Sequence, residues 1–498
     1  KNDNLVERVG FKDLGAGGVA CATVEMAEAG GYGAEVEVEA IPSSMDNLPP
    51  HVLLCSETQE RFMWAVPPEL VDLILEHYNQ RFALPEISHG ACAAVIGKIR
   101  SDQQYVVYYE GKPIINARAS DITRGIVYDR ALGPKKICAD EEPSIPPQNA
   151  NTVLLALLSH ENIASRAPII ETYDKQVQGR TLLEAGEADA GVLTPFNEQQ
   201  YPEEIRHTGI ALSLDHNPRY NQIDPYWGAV NAVIESARNV AAVGATPVAL
   251  TDCLCFGNPE NPERMWEFSE AIRGIKDACK AIGVKEHPTD SLPVISGNVS
   301  FYNESDASSI PPSPMIACLG RMNNAKKAIS AHFKEAAHDI VLIGERKNEC
   351  GGSVYYSLQN VLGNRIPKPD LTSIGAELHA LTDAIAQELI ISAHDISEGG
   401  IAVALAEMSF KNNIGVNVHL AGELPDDIKL FSESGGFILE VNPLKTMELK
   451  NFFQQRNIAC WCVGKTQAEP VLNIQNRITL SVQQAKERWT NGLREKCL

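Results

Sequence analysis

The sequence predicts an α/β (α+β) fold in which one module is used twice, and three observations carry this. Asp13–Met26 reads DLGAGGVACATVEM and Asp395–Met408 reads DISEGGIAVALAEM; without a gap they share an acidic residue, two adjacent glycines, two alanines and a closing Glu-Met. Further matches follow in the same order, VLLCSETQERFMWAV (Val52–Val66) against IKLFSESGGFILEV (Ile428–Val441), then Val95–Lys98 against Cys462–Lys465. Matches kept in order mark a duplicated domain rather than a recurrent turn. Third, the apolar periodicity alternates between strand and helix, the pattern of layered α/β or α+β domains.

Local signals justify each element. A glycine-rich loop leads into a helix over Val19–Ala29. Ser-Glu-Thr before alternating apolar residues predicts a tight polar turn entering a strand near Phe62–Val66, and Pro68–Tyr78 reads as a helix. Tyr105–Ala131 gives short strands about Glu110-Gly111-Lys112, a hairpin signal. Gly133–Asn151, rich in Pro, Lys, Glu and Asp, reads as an exposed linker before a helix over Thr152–His160. A different module opens at Glu187–Val192 and runs to about Met322. It contains a strand at Ile210–Leu214, an alanine-rich helix at Gly228–Val243, a strand at Pro247–Asp252 and a helix at Pro262–Ile282. Asn261 serves as N-cap of that last helix and Pro262 as its first-turn residue. A strand at Pro293–Ser296 then ends in the loop GNVS. The C-terminal module opens near Asp339, 56 residues before Asp395, whereas 12 residues precede Asp13. The chain, whose first residue is Lys1, is therefore expected to be a fragment or processed piece that starts partway through its first module.

At 498 residues, 44% hydrophobic and 21% charged, the chain has the balance of two to four globular domains. No apolar run reaches the 18 or so residues of a membrane span, and no signal segment is recognisable, so a cytoplasmic location is expected. A net charge of −21 without a dense basic cluster excludes broad nucleic-acid binding. It leaves small phosphates accessible through backbone amides, helix N-termini and carboxylate-held Mg²⁺. The twelve cysteines lie scattered in apolar contexts and read as reduced thiols. Two Cys-x-Cys pairs, Cys253/Cys255 and Cys460/Cys462, place both sulfurs on one face of a strand. With no Cys-x-x-Cys and matching pair, a zinc site is not expected.

Three clusters carry chemistry. Asp13-Leu14-Gly15-Ala16-Gly17-Gly18 combines a carboxylate that can ligate Mg²⁺ with glycines that admit a ligand close to the backbone and a helix N-terminus that favours an anion. The copy at Asp395 adds Glu398, which would repel phosphate, and reads as structural. Ser56-Glu57-Thr58-Gln59-Glu60-Arg61 offers donors and acceptors for ribose hydroxyls or amides, groups that the copy Ser432-Glu433-Ser434-Gly435-Gly436 partly loses. In the middle module, Asp252 and Asn298 are expected just past the ends of apolar strands, where α/β folds commonly bind ligands.

TDCLCFGNPE (Thr251–Glu260), GNVSFYNES (Gly297–Ser305), HDISEGG (His394–Gly400) and SETQER (Ser56–Arg61) stand in the order found in the phosphoribosylformylglycinamidine synthase family. Over nearly its whole length the chain resembles the synthetase subunit of the smaller multi-subunit bacterial form. The resemblance implies a tandem A1-B1-A2-B2 arrangement of aminoimidazole ribonucleotide synthetase-like units, with A domains around a barrel-like sheet and α/β B domains. On that basis residues 1–132 are the C-terminal part of B1, 133–175 a linker and helix, 176–330 A2 and 331–498 B2, with A1 absent.

The same resemblance implies ATP-dependent conversion of formylglycinamide ribonucleotide to formylglycinamidine ribonucleotide through an iminophosphate, the fourth step of purine biosynthesis. ATP and Mg²⁺ are the implied cofactors. A glutaminase subunit supplying ammonia and a small accessory subunit are the implied partners. Asp252 and Gly297 are implied as ATP contacts, Glu57, Thr58, Gln59 and Ser300 as substrate contacts, and Asp13 and Asn298 as Mg²⁺ ligands. The family usually has Ser at Thr58, which keeps the hydroxyl, and often Asn at Cys255, which does not keep the amide. Its catalytic residues belong to A1, so none is assigned in this chain, which is expected to be inactive alone. The alternatives are another ATP-using enzyme of the superfamily, or a noncatalytic nucleotide-binding fragment.

Overall fold

The computed structural model describes residues 8–125, 127–135, 142–173, 175–287 and 289–497. Lys1, and residues 136–141 of the expected linker, lie outside them. The chain divides into two compact units, Lys1–Asp129 and Arg130–Leu498.

The first unit contains β1 (Gly10–Asp13), α1 (Gly18–Ala29), β2 (Gly33–Glu37), α2 (Pro50–Cys55), β3 (Phe62–Ala65), α3 (Pro68–Glu76), β4 (Gly97–Arg100), β5 (Gln104–Tyr109) and β6 (Lys112–Arg118). β1 and β3 form an antiparallel pair, and β4-β2-β5-β6 a four-stranded sheet. Val19, Val24, Val36, Tyr105 and Val107 build its core. The Tyr105 hydroxyl is not left unpaired there, lying 2.8 Å from Thr23 Oγ1. The expected helix Pro68–Tyr78 ends at Glu76 and loosens into a wider turn over His77–Arg81.

The second unit begins with a six-stranded sheet made of β7 (Thr181–Leu183), β8 (Gly191–Leu193), β9 (Gly209–Asp215), β10 (Thr246–Cys255), β11 (Val294–Ser300) and β12 (Ser313–Met322), ordered β11-β10-β12-β9-β8-β7. α4 (Pro225–Ala242) and α5 (Pro262–Ile282) go with it. Asp224 caps α4 by accepting from the N–H groups of Tyr226 and Trp227, and Asn261 caps α5 by accepting from Glu263 N–H. α4 is buried almost all round because it is wedged against this sheet, α5 and the C-terminal module. The sheet is a curled half-barrel, and Leu193, Leu212, Leu214 and Ile295 are exposed on it.

The C-terminal module holds β13 (Asp339–Ile343), α5's neighbour α6 (Ile374–Ala386), β14 (Ser392–Asp395), α7 (Gly400–Phe410), β15 (Gly415–Val418), α8 (Asp426–Phe431), β16 (Phe437–Val441), β17 (Cys460–Gln467), β18 (Val471–Ile474) and β19 (Ile478–Ser481). Its seven strands run β14-β16-β13-β17-β15-β18-β19.

The duplication read in the sequence holds to the register of individual residues. Asp13 stands opposite Phe62 and Asp395 opposite Phe437. Val36 pairs with Gly97 and Val418 with Gly464, while parallel pairing sets Ala34 beside Tyr105 and Val416 beside Leu472. A slip of one residue would turn every side chain to the other face, so equal register means equal packing. One strand differs. β13 lies between β16 and β17, whereas among the described residues of the first unit no strand stands between β3 and β4.

Two expectations are corrected here. GNVS is not a loop, since β11 runs through it to Ser300, and Asp252 lies inside β10 rather than past its end. The reason is that these segments pair with each other in parallel, Asp252 against Gly297 and Cys253 against Asn298. The described part of the expected linker is pinned rather than free: Glu142 accepts from Asn364 N–H and Tyr356 Oη at 2.8 and 3.2 Å, and Gly133 N–H donates to Pro262 O at 2.9 Å.

Candidate functional site

Both copies of the glycine motif are built by the same lock. Gly17 and Gly18 adopt φ of 73° and 55°, and Gly399 and Gly400 φ of 78° and 71°, a region open to glycine. A Cβ on Gly18 would stand 2.4 Å from Ser56 O, and one on Gly400 2.7 Å from Ser432 O. Each Ser-Glu turn therefore packs on its glycine pair. The glutamate then reaches the helix start, with Gly17 N–H donating to Glu57 Oε1 at 3.3 Å and Gly399 N–H to Glu433 Oε1 at 2.8 Å. The anion expected at this helix N-terminus is thus the chain's own carboxylate.

The copies differ in what surrounds the lock. In the first unit Asp13, Glu57, Thr58 and Gln59 are exposed. Arg61, to which sequence reasoning gave no role, shapes the turn by donating to Ser56 O and, at 3.0 Å, to Thr58 O. In the second unit Ser432, Glu433, Ser434 and Asp395 are all buried. There Arg346, from a distant segment, donates to the equivalent carbonyls of Ser432 and Ser434. Tyr220 Oη donates to Glu433 Oε2 at 2.5 Å. Arg238 lies 3.8 Å from both Asp395 and Glu235. It also fills the space beside Gly435, where a Cβ would stand 1.5 Å from its guanidinium. Burial, then Asp189, pushes the Asp395 carboxyl up to about 7; burial, then Glu398, pushes Glu433 up to about 8. Burial likewise brings Arg346 down to about 9. The charged pair Glu235-x-x-Arg238 within an otherwise uncharged helix was the sequence signal for this cluster.

His394 is equally structural. Its Nδ1 faces Asp189 Oδ1 at 2.6 Å and its Nε2 faces Glu407 Oε2 at 3.2 Å. Burial opposes the charge, but the two carboxylates outweigh it and hold the imidazole well above its ordinary pKa. Asp189, His394 and Asp395 cluster closely enough to hold a metal, and both ring nitrogens of His394 are already engaged by carboxylates there.

In the middle sheet, β10 and β11 bring together the four predicted residues of the second unit. A Cβ on Gly297 would stand 2.2 Å from Asp252 Oδ1, so the glycine makes room for that carboxylate. Burial raises the pKa of Asp252. Thr251, Cys253 and Cys255 alternate with it and pair with Ser296, Asn298 and Ser300. Asn298 Nδ2 donates to Cys253 Sγ at 3.5 Å, and Ser300 Oγ lies within hydrogen-bond reach of Asn303.

Comparison with known proteins agrees with this architecture. The model of the AIR synthase related protein N-terminal domain matches residues 187–322, and that of the C-terminal domain matches twice, over 4–110 and 338–476. The phosphoribosylformylglycinamidine synthase subunit PurL of Methanothrix thermoacetophila is 41% identical over 98% of this chain and 63% of its own length. That of Methanocaldococcus jannaschii is 37% identical over 96% of this chain and 64% of its own. The chain thus spans a little under two thirds of the length of these relatives. Among solved structures, T. maritima PurL complexed with ATP superposes with a TM-score of 0.61 at 21% identity, over 93% of this chain and 64% of that one, which bears on the fold. With two domain models matching most of its length in the order C-terminal, N-terminal, C-terminal, and with PurL subunits as homologues, the chain belongs to the AIR synthase-related protein family.

Proposed function

We propose that this chain carries part of an ATP-dependent carbon–nitrogen ligase, a phosphoribosylformylglycinamidine synthase, and that its open first copy and the β10/β11 strand pair serve that reaction. The observation that carries the reading is the asymmetry of the copies: one motif is filled by Arg238, Arg346 and Tyr220, while its twin keeps Asp13, Glu57, Thr58 and Gln59 exposed. Support also comes from the relatives named for this activity and from T. maritima structures named as complexes with ATP and with FGAR.

In this reading Asp252 accepts from a hydroxyl or amino group of ATP, beside the backbone left bare at Gly297. Asp13, an exposed carboxylate, and Asn298, whose amide nitrogen is engaged with Cys253 so that its oxygen is the ligating atom, suit Mg²⁺, a hard cation that takes oxygen ligands. Mg²⁺ neutralises phosphate charge and fixes the transferring group. Thr58, Gln59 and Ser300 supply hydroxyl and amide groups to formylglycinamide ribonucleotide. Glu57 contributes the carboxylate oxygen left over from its bond to Gly17. The γ-phosphoryl group passes to the substrate amide oxygen, ammonia adds to the iminophosphate carbon, and phosphate departs with that oxygen. Ammonia comes from a glutaminase subunit working with a small accessory subunit; a T. maritima assembly named PurLQS supports the assignment of partners.

Calorimetric titration of MgATP into the chain tests the reading. Asp252→Ala is expected to weaken binding at least tenfold, and unchanged affinity would refute the assignment of Asp252. ADP release in the presence of substrate, ammonia and a piece carrying the remaining segment of a full-length relative tests the ligase reaction itself.

A further inference from the structure

Cys253 and Cys255 project from the same side of β10, with their sulfurs 3.9 Å apart and both half-buried rather than sealed in the core. Two geometries of closure are available to such a pair. A disulfide requires the sulfurs to approach to about 2.05 Å and the Cα atoms to lie about 4.4–6.8 Å apart, most often about 5.5–6 Å. Residues i and i+2 of a strand are held about 6.7 Å apart, and β10 is hydrogen-bonded on both sides, to β11 and β12. Direct closure would therefore draw the sulfurs together by a further ~1.9 Å at the far end of that Cα range, straining a central strand. An inserted atom requires less: two sulfurs bonded at about 2.3 Å to one pyramidal three-coordinate centre stand about 3.4 Å apart. The two thiols already meet in a 3.9 Å S–H···S contact, so bridging asks them to close by only about 0.5 Å.

We propose that Cys253 and Cys255 form a dithiol site for a soft thiophilic centre, with trivalent arsenicals as its ligand class. With phenylarsine oxide, two arsenic–sulfur bonds replace the arsenic–oxygen double bond, and the two thiol protons leave with that oxygen as one water. Arsenic stays trivalent, so no electron acceptor is required. The bridged group would stand on the face that carries Asn298 and Ser300, the register partners of the two cysteines. The second Cys-x-Cys pair is a contrast inside the same chain. Cys460 packs against the core, and the Cys462 thiol turns to Gly464 O at 3.8 Å. The inference does not depend on the ligase reading.

The test treats the reduced 498-residue chain with phenylarsine oxide, washes with excess 2-mercaptoethanol, and maps the peptides by mass. One phenylarsenic group is expected to survive on the peptide holding Cys253 and Cys255 and to be released by 2,3-dimercaptopropanol. Cys253→Ser and Cys255→Ser each leave a single sulfur, so either variant, with its fold checked by circular dichroism, should lose the adduct in the monothiol wash. Survival of the adduct in either variant overturns the proposal, as does its loss from the unsubstituted chain. Ready formation of a Cys253–Cys255 disulfide with oxidised glutathione would overturn the geometric argument.

Discussion

Glu433 allows the buried carboxylates of the second unit to be tested one at a time. Its Oε1 accepts from Val354 N–H and Gly399 N–H at 2.9 and 2.8 Å, and its Oε2 from Tyr220 Oη at 2.5 Å. Burial, then Glu398, raises its pKa to about 8, against about 4.3 for glutamate in an unfolded chain. The folded protein thus holds the proton more tightly. The resulting stability is complete below about pH 4.3 and is lost as pH rises through about 8. At about 1.4 kcal/mol for each pH unit the limit is about 5 kcal/mol. About 2–3 kcal/mol should be measurable, since local opening hydrates the group before the whole unit unfolds. Glu433→Gln keeps both backbone bonds through its amide oxygen, offers an N–H to Tyr220 Oη and cannot ionise. Urea unfolding is followed by hydrogen exchange in peptides covering Val354–Ser357 and Gly400–Phe410, at about pH 5.5 and about pH 8.5. The unsubstituted chain should be less stable at the higher pH, and the variant should lose most of that difference. Asp395 and Glu377, each raised to about 7 chiefly by burial, leave a residual slope of the same sign. An unchanged slope in the variant would refute the assignment of the proton to Glu433.

Other substitutions separate closure from ligand binding. Arg238→Met should cost about 1–3 kcal/mol in urea unfolding of the second unit, because it removes the cation 3.8 Å from two carboxyls that burial already biases toward the protonated form. Gly297→Ala places a methyl group 2.2 Å from the present position of Asp252 Oδ1 and should weaken MgATP binding at least tenfold in calorimetry; Ser296→Ala, on the opposite face, should not. Asp13→Asn should weaken the Mg²⁺ dependence of nucleotide binding with little change in unfolding midpoint, since the carboxylate is exposed, whereas Asp395→Asn should leave nucleotide binding as it was.

The duplication, the α/β elements and the Asn261 cap were legible because each rests on local periodicity or on residues near in sequence. The strand ends at Asp252 and Asn298 were not. GNVS has the composition of a loop, and only its parallel partner, some 45 residues away, makes it a strand; local propensity carries no information about that pairing. Arg61 and Arg346 show the same limit from the side of the site. They hold equivalent carbonyls in the two copies, yet one comes from the turn itself and the other from a segment about 86 residues earlier. No internal alignment could match them. The burial of Ser432–Ser434 was foreshadowed only by the loss of Gln, Glu and Arg after the second Ser-Glu.

What the two copies share accounts for the repeat, and what they do not share accounts for the site. Gly-Gly at positive φ, the Ser carbonyl packed on it and the Glu carboxylate on the helix N–H are one mechanical unit, and each part is needed for the others. Loss of a glycine would drive a Cβ into a carbonyl, and loss of the glutamate would leave a helix N–H unpaired. Such a unit persists in a sequence whether or not it binds anything, so the doubled motif by itself identifies a fold. In the second copy the space about the lock is occupied by two arginines and a tyrosine, and its carboxylates are spent on them. In the first, Arg61 holds the turn's carbonyls from within the turn itself, and Asp13, Thr58 and Gln59 stay exposed. A ligand site requires polar groups left uncommitted by folding, and of the two copies it is the first that keeps such groups exposed.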